Sequence, residues 1–396
     1  MRVLMIHPHD IFHPWEPWTV RITYLARELV KAGHEIKLLY HLRHPQDRDR
    51  TLPETSAYPF EVIPFLPQIY RYNPAFIRRC LALTKLVKWA DLVHFQKCLY
   101  HVSVPAVISA RLQAKPVHYD WDDSEDKIFE KVIVNKLNHW LLYHQMERQM
   151  PKLVDTISVA SHGLQKLSAR WGLPQDRVFY VPVGADLDLF NPARDGMAVR
   201  KRHGWAGPLV LYQGQLNASN YVHLFIKSAK IISAARNGIT FAVVGGGDQV
   251  DQAKALVREE GLSRQITFTG PVSHAEVAEY VAAADVVVAS FEDTPQAQCK
   301  SPLKVVEYLA AGKAIVASRV GEVVWMVGDG GCLVQADAPA DMAAAVLNLL
   351  DHPERRQELG KLARERAERI YNWTQSAKAL TAAYAKAMTL RRPRPN

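Results

Sequence analysis

At 396 residues the chain is long enough for two or three domains, and its 48% hydrophobic and 22% charged content lies near the globular average. That balance excludes a disordered, collagen-like or acidic solvating chain. The net charge of +9, from 49 basic against 40 acidic residues, favours anionic partners only weakly when spread over so large a surface.

Short β-branched runs alternate with helical patterns along the whole chain, the mark of parallel sheets built from βαβ units. In the first half the pattern predicts strands at Val3 to His7, Glu35 to Tyr40, Glu61 to Pro64, Asp91 to Phe95, Val117 to Trp121, Thr156 to Ala160 and Val178 to Val183. Between them helices are expected near Thr19 to Lys31, Pro74 to Trp89, Lys127 to Met150 and His162 to Trp171. The second half repeats the scheme with LVLYQG, a helix from Ser219 to Ala235, TFAVVGGG, a helix to Glu260, ITFTG, a helix over His274 to Ala283, and DVVVASF. A helix over Pro302 to Ala311, AIVAS, a short helix after Gly321, CLVQ and terminal helices complete it.

The predicted fold is α/β, with two doubly wound, Rossmann-like domains facing a cleft. The first domain is expected over 1–190, a linker over 191–207, the second domain over 208–373, and a helix over 374–390 that returns to the first. Cys80, Cys98, Cys299 and Cys332 are widely spaced, so no zinc site or disulfide scaffold is signalled. No stretch reaches the roughly 18 apolar residues of a membrane span, and a cytoplasmic location with peripheral membrane contact at most is expected. No nucleic-acid motif is evident, so nucleic acid is not expected as a partner.

The most informative segment is Lys300-Ser301-Pro302-Leu303-Lys304-Val305-Val306-Glu307, followed by Tyr308 to Gly312. Ser301 is the expected N-cap, Pro302 the first-turn proline and Gly312 the stop. The unpaired amides of such a helix start, with Lys300 and Lys304 beside them, make an anion site. Glu307, one turn on, is placed to accept hydrogen bonds from a ligand hydroxyl; an ordinary surface Lys-Glu pair is the rival reading.

This segment resembles the donor site of the large retaining glycosyltransferase family that includes bacterial mannosyltransferases and sucrose synthases, which has the two-domain B-type fold. The likeness extends over AGHEIKLL, VASHGLQKLSARWGLPQDRVFYVPVGADLDLF, VVGGG, ITFTGPVSHAEVAEYVAAADVVVAS, SPLKVVEYLAAGKAIVAS and Asn372-Trp373. The resemblance implies transfer of a sugar from a nucleotide diphosphate sugar to a hydroxyl acceptor, glycan or lipid-linked, with no cofactor and no metal. It puts the ribose on Glu307 and the diphosphate on Lys304 and the loop Ser301, Pro302 and Leu303 with its backbone amides, with Lys300 adjacent. Gly246 within Gly245 to Gly247, together with Pro271 and Val272, frames the nucleoside. Three positions depart from the family pattern: its first glutamate falls on Cys299, its arginine and lysine pair on Gln215 and Asn220, and a first-domain histidine on Asp122. Gln215 keeps an amide donor for the phosphate. Lys300, Lys304 and Arg21 are the candidates to replace the lost cations, and a protein that binds nucleotide sugar without transferring it is the alternative these departures raise.

In the first half, Asp122 is the candidate to orient or deprotonate the acceptor, as Lys304 is to support the leaving group. Asp120-Trp121-Asp122 also forms a D-x-D triplet of the kind that holds a divalent metal in A-type transferases, although the two carboxylates are not expected to point into one space. The loop His9 to Arg21 offers Trp15, Glu16, Trp18 and Arg21 to an acceptor; Arg21, in the first turn of a helix, is expected to meet a bound anion. The helix after Asn73-Pro74 puts Phe76, Cys80, Leu83 and Val87 on one face and Arg78, Lys85 and Lys88 on the other, a basic face suited to an anionic membrane.

Overall fold

The structure is a computed structural model that describes residues 1–12, 16–44, 46–47, 58–66, 75–130, 133, 135–217 and 221–391. Trp15, Asn73, Pro74, Asn220 and the arginines beyond 391 lie outside the described residues. The chain divides into two compact units, one of Met1–Pro182, Cys299–Ser301 and Trp373–Asn396, the other of Val183–Gln298 and Pro302–Asn372.

In the first unit, strands β1 (Arg2–His7), β2 (Glu35–His41), β3 (Glu61–Phe65), β4 (Leu92–Gln96), β5 (Val117–Trp121), β6 (Thr156–Val159) and β7 (Val178–Tyr180) form one parallel sheet in the order β3-β2-β1-β4-β5-β6-β7. Near-continuous burial of these strands follows from helices on both faces. The helices are α1 (Pro17–Lys31), α2 (Ala75–Trp89), α3 (Tyr100–Arg111), α4 (Glu125–Phe129), α5 (Lys136–His139), α6 (Met146–Gln149) and α7 (His162–Arg170). Strand order reverses between β1 and β4, so the loops at their carboxyl ends frame the ligand position of an open parallel sheet.

Two expectations change here. Helix α3 is not read from the sequence, because Pro105 lies inside it among Val102, Val104, Val107 and Ile108. Proline gives up one helical hydrogen bond and β-branched residues lower helix propensity, but burial of Val102, Ala106 and Ala110 outweighs both. The expected continuous helix Lys127 to Met150 is instead broken: Asn135 caps a new start by accepting from Leu137 and Asn138 amides at 3.1 Å, and Trp140–Gln145 is a π-helical turn. The C-terminal helix Trp373–Arg391 belongs to this unit and lies along α1, where Tyr24 and Trp373 stack with ring centroids 5.5 Å apart.

The second unit holds β8 (Leu209–Gln213), β9 (Thr240–Val244), β10 (Ile266–Gly270), β11 (Val286–Ala289), β12 (Ala314–Ser318) and β13 (Gly331–Val334), parallel and ordered β10-β9-β8-β11-β12-β13. Around them lie α8 (Met197–His203), α9 (Val222–Ala235), α10 (Val250–Glu259), α11 (His274–Ala283), α12 (Pro295–Cys299), α13 (Leu303–Ala310), α14 (Gly321–Val327), α15 (Pro339–Asp351) and α16 (Pro353–Arg369). The segment expected to link the domains carries α8 and is tied into this unit, since Arg200 donates to the Ala283 carbonyl at 2.8 Å and to Asp285 at 2.6 Å. Strand order reverses between β8 and β11, which puts α11 and α13 beside the ligand position of the second sheet.

Candidate functional site

In the second unit the site grows from Glu307, buried in α13 at the carboxyl end of β8. Gln213 Nε2, on the last residue of β8, donates to Glu307 Oε2 at 2.5 Å, and His274 Nε2, on the first turn of α11, donates to Oε1 at 2.7 Å. Burial opposes charge on His274, but the hydrogen bond and the charge of Glu307 outweigh it and raise its pKa. The carboxylate is therefore fixed in place by two side chains that sequence reasoning missed. Their signal was position: one ends the switch strand β8, the other opens the helix that leads into the switch strand β11.

Lys304 is not the surface partner of Glu307. It is buried, with Nζ 4.1 Å from the Tyr212 ring centroid. Gly214 at φ 144 makes room for it, since a Cβ there would lie 2.8 Å from Nζ. The neighbouring loop needs glycine as well: a Cβ on Gly245, at φ 133, would meet the Gly214 carbonyl oxygen, while Leu216 N bonds to Gly246 O at 2.9 Å. The turn at Gly245 to Gly247 thus braces the loop that carries Gln215, whose Oε1 receives a long 3.3 Å bond from Asn217. Val272, half-buried, immediately precedes Ser273, which closes a capping box with Glu276 on α11.

Ser301 is not the N-cap. Helix α13 starts at Leu303, Pro302 holds the cap position, and no side chain caps the first turn, because proline at the cap has no hydroxyl to offer. The Ser301 hydroxyl is buried and makes no hydrogen bond. Lys304 lies in this first turn, where the Val305 amide donates to the Pro302 carbonyl at 3.1 Å. The segment Cys299–Ser301 belongs to the first unit, where Ser161 donates to the Cys299 carbonyl at 2.6 Å. Burial pushes the Cys299 thiol up to about 12, so it is an apolar packing group and no substitute for a carboxylate. Treatment of the folded protein with N-ethylmaleimide at pH 8 should leave Cys299 unmodified in peptide maps, and denaturation should expose it; rapid native labelling would contradict this placement.

In the first unit Arg21 is corrected from an acceptor or phosphate ligand to a structural group. It is buried and forks onto Asp120, Nε to Oδ2 at 2.8 Å and Nη2 to Oδ1 at 2.7 Å, with a further bond to the Val181 carbonyl. The anion expected beside it is the chain's own Asp120, which Ser158 also holds at 2.6 Å. Asp122 accepts from Gln96 Nε2 at 3.0 Å and lies 3.2 Å from Lys97 Nζ. Asp120 and Asp122 meet different partners, Arg21 and Ser158 at the first and Gln96 and Lys97 at the second.

Lys97 was missed. It follows β4 with φ 64, a conformation uncommon for a side chain of this size, and its Nζ bridges Asp122 and Glu125, the latter at 2.8 Å. Burial works to discharge it, but Asp122 and Glu125 outweigh burial and hold it charged. Burial also lifts Glu125 to about 7. With Gln96 and Lys97 on it, the Asp122 carboxylate is held in one orientation. His7 binds Gln96 through Nδ1 at 2.8 Å, and burial lowers it to about 4, keeping it neutral. Trp18 shares this corner, its ring 5.2 Å from His9, while Glu16 pairs with Arg43 at 3.5 Å; Trp15 is outside the described residues. Among the described residues no group of three or more His, Cys, Asp or Glu side chains is placed to hold a metal ion.

Residues 207–352 match the family described as glycosyl transferases group 1, and residues 19–184 match the glycosyl transferase 4-like domain. The chain is 31% identical to D-inositol 3-phosphate glycosyltransferase 2 of Catenulispora acidiphila across 55% of its own length and 52% of that protein, and so spans about half of that relative. It is 23% identical to the MMP alpha-(1->4)-mannosyltransferase of Mycolicibacterium hassiacum across 93% of this chain and 94% of the other. Its fold is shared with a glycosyltransferase of Rickettsia africae, at TM-score 0.77 and 12% identity over 98% of both chains. HepE of Anabaena, solved with UDP and glucose, superposes with TM-score 0.77 at 15% identity, over 96% of this chain and 99% of the other. Two Rossmann-like units, each matched by its own family description, place this chain in the GT-B glycosyltransferases of the group 1 and 4-like family.

Proposed function

We propose that the protein moves a sugar from a nucleoside diphosphate sugar, held by the second unit, to a hydroxyl acceptor held by the first, with retention and without a metal ion. The observation that carries this reading is Glu307, fixed by His274 and Gln213 beside the uncapped start of α13. The carboxylate accepts the ribose hydroxyls; the helix amides and Lys304 receive the diphosphate. In the transfer the bond from the anomeric carbon to the diphosphate oxygen breaks, a bond to the acceptor oxygen forms, and the acceptor proton leaves to the departing phosphate. Charge grows on the diphosphate, where the helix start and Lys304 stabilise it without reorganisation.

The alternative use of Asp120 and Asp122 as a metal pair is disfavoured, because Arg21 and Ser158 occupy the first carboxylate and Lys97 the second. Calorimetry against UDP, GDP and ADP sugars should therefore give one preferred donor whose affinity EDTA leaves unchanged. Binding that requires manganese would overturn the metal-free reading. Cys299 and Gln215, in place of charged family residues, favour a second reading in which the sugar is bound but not transferred; donor binding with neither transfer nor hydrolysis would establish that one.

A lipid-linked acceptor at an anionic membrane, as in glycolipid or surface polysaccharide synthesis, is supported by α2. Ile77 and Leu81, 67% and 64% exposed and one turn apart, accompany the exposed Arg78, Lys85 and Lys88. Among the described residues no helix is long and apolar enough to cross a membrane. Each basic group near an anionic surface contributes about 1 kcal/mol, so replacing all three with glutamine should weaken binding to phosphatidylglycerol vesicles by roughly two orders of magnitude. Equal sedimentation of both proteins with such vesicles would exclude this surface.

A further inference from the structure

Helix α11 runs out at Ala284, and two cations sit on its last three carbonyls. Arg200 Nε donates to the Ala283 carbonyl at 2.8 Å, while Lys313 Nζ donates to those of Ala282 at 2.6 Å and Ala284 at 2.9 Å. Basic side chains suit helix C-termini, where unpaired carbonyls accept from them. The counter-charge, however, goes to one of the two. Asp285 gives Oδ2 to Arg200 at 2.6 Å and to the Leu209 amide at 2.8 Å, and among the described residues no carboxylate pairs with Lys313. Burial lowers the Lys313 amine to about 8; Asp285 opposes that shift and Arg200 adds to it.

The cluster lies at the amino ends of the second sheet, away from Glu307. Asp285 immediately precedes β11, Lys313 immediately precedes β12, and Gly207, whose carbonyl accepts from Arg200 Nη1 at 2.9 Å, lies just before β8. Lys313, Arg200 and Asp285 line a cavity of about 480 Å3 together with Met197 and Trp205, a volume suited to a small ligand. Lys313 is half-buried and so within reach of solutes. Two carbonyls take two N–H groups, all that a neutral amine has, so the remaining position on Nζ then carries the lone pair. Arg200 makes one bond from each of its three nitrogens, which leaves one N–H on each Nη. A desolvated amine beside a guanidinium is an activated nucleophile next to an anion-binding edge.

We propose that Lys313 is an acylation site for small acyl phosphates, with the phosphoryl group on Arg200 and the acyl carbon at Nζ. The Nζ lone pair forms a bond to the carbonyl carbon, the bond from that carbon to the phosphate oxygen breaks, and phosphate leaves with its electron pair and the amine proton. The product amide has one N–H and no charge, so at most one of the Ala282 and Ala284 carbonyls keeps its bond. The site does not depend on the transferase reading.

The test treats the full chain with acetyl phosphate and follows each lysine by peptide mass mapping, with exposed Lys361 on α16 as the internal reference. At pH 8 about half of Lys313 is free amine, against about 0.4% of an ordinary lysine. Lys313 should therefore be acetylated at least about tenfold faster than Lys361, and between pH 8 and 10 its rate should level off while that of Lys361 climbs. Arg200→Gln should slow acetyl phosphate at least about tenfold relative to N-hydroxysuccinimide acetate, an uncharged acyl donor, as a charge-assisted hydrogen bond to phosphate is lost. Because both reagents meet the same amine on the same sample, that ratio is insensitive to any change in its pKa or in folding. Acetylation of Lys313 no faster than that of Lys361, or rates that rise in parallel with pH, overturns the modification site. An unchanged reagent ratio in Arg200→Gln overturns its assignment to acyl phosphates.

Discussion

Glu307→Ala should weaken nucleotide sugar binding by roughly ten- to a hundredfold, as one or more hydrogen bonds of about 1.5 to 3 kcal/mol to a charged acceptor are lost. The effect has two sources. The ribose loses its acceptor, and Gln213 and His274 lose the group that orients them. The pair also sets a pH dependence. His274 has a raised pKa in the folded protein, so the stabilisation of its ion pair with Glu307 is complete below the ordinary histidine value and is lost as pH rises through the raised one. Donor affinity should accordingly decline on the alkaline side of neutrality in the wild type and lose that slope in His274→Gln. Calorimetry across pH measures both, and a donor affinity in Glu307→Ala equal to that of the wild type would remove Glu307 from the site.

Arg21→Met should destabilise the first unit by about 3 to 5 kcal/mol, because it strands the buried Asp120 carboxylate. For a domain of this size that is a fall of roughly 6 to 20 °C in melting temperature. Arg21→Met combined with Asp120→Leu should recover most of the loss, since neither charge then remains buried. Although burial opposes it, Arg21 holds the Asp120 carboxyl well below the usual carboxylate range. The ion pair therefore contributes fully above the unfolded carboxyl value and is lost only as pH falls through the depressed folded one. Nucleotide sugar affinity of the folded fraction should not change in Arg21→Met. A loss of donor affinity without a loss of stability would restore Arg21 to a ligand role.

The two sheets were legible because the strands are short runs rich in β-branched, aromatic and aliphatic residues, and a run such as Val286 to Ala289 has no other good use. Helix α11 was legible to the residue because Ser273 and Glu276 form a capping box whose pattern is local. What escaped depended on partners distant in sequence. Pro105 reads as a breaker until the buried face of α3 is seen, and Ser301 reads as a cap until the cap position falls on Pro302. Arg21 looks like an anion ligand until Asp120, 99 residues away, supplies the anion. Lys97 carried a readable sign, a charged residue at the carboxyl end of a strand next to the switch, but its two carboxylate partners are visible only in space.

The C-terminal helix gives the protein an order of assembly. Trp373, Leu380, Tyr384 and Ala387 are buried in the first unit, and the Tyr384 hydroxyl bonds to His94 on β4 at 2.8 Å. The ribosome must therefore make the whole second unit before the first can be finished. At about 5 to 20 residues per second, the sheet that begins the chain waits some tens of seconds with one face unsealed, while the second unit is free to fold as it emerges. Translation arrested just before Trp373 should leave nascent chains whose second unit resists protease and whose first unit is cut, a polarity opposite to the direction of synthesis.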